Sequence, residues 1–150
     1  MIKTRSKFNV SKNKDKRTSS GIVFDSELEK RYYEEVVIPK YESGEITHYE
    51  LQKKYVLQEK FTRPNGEKIR QIDYVADFYI EYADGKIEVI DTKGMGDSVA
   101  KLKRKMMYYL YPTLDYKWIS YAKKYGGWLE YDQLQKLRKL AKKEKERKLK

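Results

Sequence analysis

Asp77 and Asp91, with Lys93 two places after the second, are the residues whose types and spacing are best suited to chemistry. They fall in Tyr74-Val75-Ala76-Asp77-Phe78 and Glu88-Val89-Ile90-Asp91-Thr92-Lys93-Gly94, two β-rich segments joined by a short loop. That loop decides whether the carboxylates meet. Ala83-Asp84-Gly85 reads as a three-residue hairpin loop closed by a left-handed glycine, which pairs Tyr82 with Lys86 and sets Asp77 opposite Asp91 on one face of the sheet. A two-residue Asp84-Gly85 turn would pair Asp77 with Thr92 and turn Asp91 away. In the first register Asp91 and Lys93 share a face, and Glu88, Ile90 and Thr92 share the other. Directly opposed carboxylates repel unless something neutralises them, and a divalent cation does so. Magnesium takes oxygen ligands from one or two carboxylates together with waters and substrate phosphate. Val75, Ala76, Phe78, Val89 and Ile90 predict strands buried on part of both faces, where a carboxylate needs a partner.

The surrounding elements must hold these residues. Asp25 or Ser26 caps a helix running to about Tyr41, with Leu28, Tyr32 and Val36, joined by Tyr33 and Val37, as its buried stripe. It carries two acidic candidates, Glu27 and Glu29; Glu27 lies in the exposed first turn, where an acid favours the helix dipole in any case. A strand from about Tyr49 to Thr62 leads through a hairpin at Arg63-Pro64-Asn65-Gly66-Glu67 into a long strand from Ile69 to Tyr82, and a third strand covers Lys86 to Thr92. After Gly94-Met95-Gly96, Asp97 or Ser98 caps a helix through about Tyr109. Leu102, Met106 and Leu110 should face the sheet, Lys103 and Arg104 the solvent, and Lys101, Lys105, Tyr108 and Tyr109 a groove beside the acidic pair. Pro112 marks the exit, Tyr116 to Tyr121 forms a fourth strand with Trp118 in the core, and Tyr131 to about Lys148 is a terminal helix. Trp128, beside Gly126-Gly127, reads as an interface or cap residue. Asp73 and Glu88 read as structural acids. The pattern is α/β: a mixed central sheet of about four strands flanked by helices, in one domain over residues 21–150.

Composition bounds the partner. The 150 residues carry 34 Lys and Arg against 23 Asp and Glu, a formal net charge of +11, which points to an anionic polymer. Residues 1–20 hold seven basic side chains and one acidic, among them Lys12, Lys14, Lys16 and Arg17, with little to bury, and read as a flexible basic arm suited to phosphate contact. The terminal helix ends in a second basic run. With no cysteine, disulfides and thiolate zinc sites are excluded, and the single His48 cannot build a His-rich metal centre. No apolar run is long enough for a membrane span or signal peptide, so a cytoplasmic location is expected.

Asp, a hairpin, then Asp-x-Lys resembles the active site of the PD-(D/E)XK nuclease superfamily, whose core adds an upstream helical glutamate; Ser26-Glu27-Leu28-Glu29 has the form that this glutamate often takes. Gly21-Ile22-Val23-Phe24-Asp25-Ser26, Tyr74-Val75-Ala76-Asp77-Phe78 and Asp91-Thr92-Lys93-Gly94 together resemble a branch of small phage-encoded endonucleases, similar to junction resolvases, over about Gly21 to Pro112. Ala76 stands where the superfamily's proline would be, and Asp91 where many members have glutamate. The resemblance implies a restriction-endonuclease-like core and Mg²⁺-dependent cleavage of DNA, with Mn²⁺ as a substitute. It implies Asp77, Asp91 and the Thr92 carbonyl as metal ligands, Glu29 completing the cluster directly or through water, and Lys93 acting on the water and phosphate. Lys101 and Lys105 would bind DNA. Branched DNA, including a Holliday junction, is the expected substrate, cut by a homodimer in the cytoplasm of a bacterial host. Alternatives are a nuclease-fold DNA-binding protein without activity and a basic RNA-binding protein; the intact acidic set argues against both.

Overall fold

The computed structural model describes residues 14–150; Lys12 and most of the expected arm lie outside the described residues. Lys14–Arg17 form a 3₁₀ turn leading into a small hairpin of β1 (Thr18–Ser19) and β2 (Ile22–Val23). Structure thus begins ahead of Gly21, because the Arg17 guanidinium donates to the carbonyls of Phe24 (3.0 Å) and Asp25 (3.1 Å) and ties the segment to the next helix.

That helix starts as α1 (Glu27–Tyr32), passes through a π-helical turn over Tyr33–Val37 and ends as α2 (Ile38–Glu42). The wider π turn shifts the helical phase of the residues within and beyond it. The buried side chains are Glu29, Tyr32, Tyr33 and Val37; of the expected stripe, Leu28 and Val36 are only half-buried.

β3 (Ile46–Gln58) is followed by a short side hairpin, β4 (Phe61–Thr62) with β5 (Lys68–Ile69), and then by β6 (Ile72–Tyr82) and β7 (Ile87–Thr92). α3 (Ser98–Leu110) crosses to β8 (Tyr116–Ala122), β9 (Gly127–Glu130) turns back beside it, and α4 (Tyr131–Lys148) closes the chain. The protein is mixed α/β, with a central five-stranded sheet in the order β3-β6-β7-β8-β9. β7 and β8 run parallel and the other neighbours antiparallel. The fifth strand corrects the expected four: Gly126 and Gly127, at φ +93° and +111°, turn the chain back so that Trp128 pairs with Tyr121 in the sheet. Among the described residues no helix is long and apolar enough to cross a membrane.

Two apolar clusters cover the two faces. Tyr55, Tyr74, Ala76, Val89 and Trp118 pack with Met107 of α3, and Ile46, Phe78, Ile80 and Ile90 pack with Tyr32 and Val37. The face of α3 differs from the expected one. Leu102 and Leu110 are exposed, whereas Lys103 donates to the Asp73 carbonyl (2.8 Å) and Arg104 lies over the Trp118 ring with its guanidinium on Asp132. Long basic side chains cover apolar surface with their stems while their heads find acceptors, which simple polarity counting misses.

Of the Gly94-Met95-Gly96 loop, Gly96 lies against this core and Met95 is exposed. A Cβ at Gly96 would lie 2.8 Å from Trp118 Cζ3. Gly96→Ala is therefore expected to destabilise the protein by about 1–3 kcal/mol through overpacking. Urea unfolding checks this, and an unchanged midpoint would show that Trp118 moves aside freely.

Candidate active site

The three-residue turn is present. The Gly85 N–H donates to the Tyr82 carbonyl and the Tyr82 N–H to the Lys86 carbonyl, with Gly85 at φ +89°. The resulting register, Glu81 with Ile87 through Phe78 with Ile90, places Asp77 across from Asp91 at the next step. There the strands part: β7 continues beside β8, with Asp91 opposite Trp118, and β6 continues beside β3. The Thr92 amide takes the Asp77 carboxylate as acceptor, at 2.8 Å from Oδ2, and the Thr92 hydroxyl adds a second bond at 2.9 Å.

β6 also changes face at this point. Phe78 and Ile80 pack on the α1 side, yet Ala76 and Tyr74 pack on the α3 side, although steps of two along a strand ordinarily stay on one face. β3 does the same, with Leu51 on one side and Tyr55 on the other. The paired positions skip from Leu51–Phe78 to Lys53–Ala76, and Gln52 between them has φ +56°. Asp77 therefore stands at a twist between the two faces, in reach of Asp91 and of Glu29. Burial, then the charges of Asp91 and Glu29 and a hydrogen bond shared with the Asp91 carboxyl, push Asp77 well above the usual carboxylate range, against the pull of the Thr92 amide.

Glu29 is held from α1. Ser26 caps the helix by accepting the Glu29 N–H (3.0 Å), and the Glu29 side chain is only 2% exposed. Burial and the charges of Asp25 and Asp91 raise its carboxyl to about 7, and a 2.6 Å bond from Gln52 Nε2 works in the opposite direction. Glu27 is exposed in the first turn.

Asp91 has a built surround. Its Oδ2 accepts from Lys93 Nζ at 2.7 Å and from the Tyr74 hydroxyl at 2.6 Å. Behind Tyr74 stands a buried chain: Trp118 Nε1 donates to Tyr116 Oη (2.6 Å), and Tyr116 Oη to Tyr74 Oη (2.5 Å). An indole can only donate, so the chain runs one way, toward Asp91. Burial, with Asp91 alongside, drives the Tyr74 phenol far above its ordinary value and keeps it a donor. Both donors occupy Oδ2. Lys93 Nζ also lies 5.0 Å from the Trp118 ring centre.

Thr92 and Lys93 open onto a cleft lined by Ser26, Glu27, Leu28, Arg31 and Met95. Lys101 and Lys105 are exposed on α3, and Lys16 is exposed within the 3₁₀ turn that starts at Lys14. Arg17 is spent on backbone carbonyls. Asp73 and Glu88 stand apart from the pair: Asp73 accepts from Gln71 (2.7 Å), and Glu88 is bonded by Lys117 (2.9 Å) and Tyr82 (2.8 Å). Sequence reasoning missed Gln52, Tyr74, Tyr116 and Arg31. Only the Tyr74 position, three before Asp77 in the same strand, carried any signal.

The donor chemistry suits a hard divalent cation: two opposed carboxyls, one held by Lys93 and Tyr74 and the other raised by the charge of its neighbour. Among the described residues no three acidic or histidine side chains converge as a ready-made set, and Glu29 joins the pair through Gln52.

Fold and site define a mixed α/β protein with an acidic pair and a lysine where a central hairpin opens. Residues 5–127 match a family described as "Protein of unknown function (DUF1064)", and the chain belongs to that family. No curated protein and no solved structure matches the chain.

Two outcomes are expected from the site alone. A carboxyl whose folded pKa is raised favours folding below its unfolded value and loses that contribution as pH rises through the folded one. For Glu29 the window is 4.5 to about 7. In chelator, wild type should thus lose on the order of 2–3 kcal/mol relative to Glu29→Gln between pH 4.5 and 8. Parallel stability profiles of the two proteins would sink this. Tyr74→Phe leaves the buried Tyr116 donor unmatched and should destabilise by about 1–3 kcal/mol, read by denaturant unfolding.

Proposed function

We propose that this protein is a metal-dependent DNA endonuclease of the PD-(D/E)XK kind. The observation that carries the reading is the opposition of Asp77 and Asp91 at the opening of the β6–β7 hairpin, with Lys93 Nζ 2.7 Å from Asp91. Repelling carboxylates kept together at the edge of a cleft make sense as cation ligands. The net charge of +11 supports a polyanionic substrate.

Asp77 and Asp91 would hold Mg²⁺, or Mn²⁺ in its place, with the Thr92 carbonyl beside them and Glu29 at one remove. The bound metal lowers the pKa of water and neutralises phosphate oxyanions. The chain's own residues do the remaining work. Lys93, anchored by Asp91 and 21% exposed, presents a fixed ammonium to the cleft, where it orients the attacking water and stabilises charge on the phosphate. Thr92 holds Asp77 by two bonds, and the Tyr74 chain holds Asp91. Glu29, titrating near neutrality, can take up a proton beside the pair. Lys101, Lys105 and the basic residues at the start of the chain, Lys12, Lys14 and Lys16, serve the phosphate backbone. Branched DNA such as a four-way junction is the proposed substrate, cleaved by a homodimer whose two sites make paired cuts.

Cleavage of labelled four-way junction, flap, duplex and single-stranded DNA in Mg²⁺ and Mn²⁺ tests the proposal. Junction-selective cutting is expected, abolished by chelator and reduced about 100-fold or more in Asp77→Asn, Asp91→Asn and Lys93→Ala. Tight DNA binding with no cutting in either metal would replace the enzyme with a binding protein.

A further inference from the structure

Gln52 carries more of the site than its residue type suggests. It is a non-glycine residue at φ +56° in the interior of the thirteen-residue strand β3, a conformation that persists only where its surroundings over-determine it. It drops out of the pairing, as Asp77 does opposite, while Leu51–Phe78 and Lys53–Ala76 stay paired on either side. The kink swings its side chain across the strand. Nε2 then lies 2.6 Å from Glu29 Oε1 and 3.4 Å from Asp77 Oδ1. A primary amide has two N–H donors and no charge, so it can link two carboxylates without neutralising either. Lysine in this place would compete with a bound cation, and glutamate would add to the repulsion.

We infer that Gln52 is a positioning residue, held in a left-handed conformation so that its amide fixes the helix-borne Glu29 against the strand-borne Asp77. This rests on the reading of Asp77 and Asp91 as a cation-binding pair. The role is separable from backbone structure, because glycine adopts φ +56° freely and preserves the kink while removing the amide.

Gln52→Gly, Gln52→Ala and Gln52→Glu are compared with wild type in thermal unfolding, in Mn²⁺ titration followed by electron paramagnetic resonance, and in DNA cleavage. Gln52→Gly should be at least as stable as Gln52→Ala, since alanine retains the strained φ. All three should lose about 10–100-fold in Mn²⁺ affinity and in kcat, with KM for DNA unchanged. Gln52→Glu, equal in size but without the donor, should not rescue. Folded Gln52→Gly or Gln52→Glu protein with wild-type kcat and Mn²⁺ affinity overturns the role of Gln52 alone, and Gln52→Gly less stable than Gln52→Ala overturns the strain argument. Wild type that neither binds Mn²⁺ nor cuts DNA overturns the cation-pair reading, and Gln52's role falls with it.

Discussion

The central sheet is broken at one place, and the candidate site depends on that break. Down to Phe78 and Ile90, β6 and β7 form an ordinary antiparallel ladder; one residue further the partners separate, and β6 turns its buried face from one side of the sheet to the other. A continuous ladder would bury Asp77 and Asp91 as an unrelieved like-charge pair. The opening gives Asp77 a backbone amide and a hydroxyl from Thr92, and gives Asp91 a lysine and a tyrosine.

β7 shows how local partners decide the fate of an acid. Glu88 and Asp91 are both buried and three residues apart. Glu88 meets Lys117, Lys86 and Tyr82 and is held below its ordinary pKa although burial opposes this. It is a closed ion cluster with nothing left to bind. Asp91 shares its lysine with the cleft and faces another carboxyl, so it retains a valence for something from outside.

Much of this was legible in the sequence wherever a short-range rule governs it. The Ala83-Asp84-Gly85 loop set the register of the acids, Ser26 the start of the first helix, and the bounds of α4 came from its pattern. Trp118 lies in the core as expected. Illegible were features where tertiary demands override residue preference. Gln52 gives no sign of a left-handed backbone, because the residue usually chosen for it is glycine. The inward turn of Lys103 and Arg104 depends on acceptors at Asp73 and Asp132, distant in sequence. The four residues of β9 come after two glycines and look like loop until their pairing with β8 is known.

The π turn at Tyr33–Val37 has its own consequence. It follows Glu29, which must face the acidic pair, and ends at Val37, which must fill the core. Each residue in a helix advances the azimuth by about 100°. The extra residue in that turn therefore acts as a phase adjuster, letting one helix satisfy two targets that a regular α-helix would aim in different directions. The pointing of Glu29 is in this sense set by how many residues lie between it and the core anchor, and less by which residues they are. Divergent relatives can thus be compared at this helix by residue count as well as by side chain.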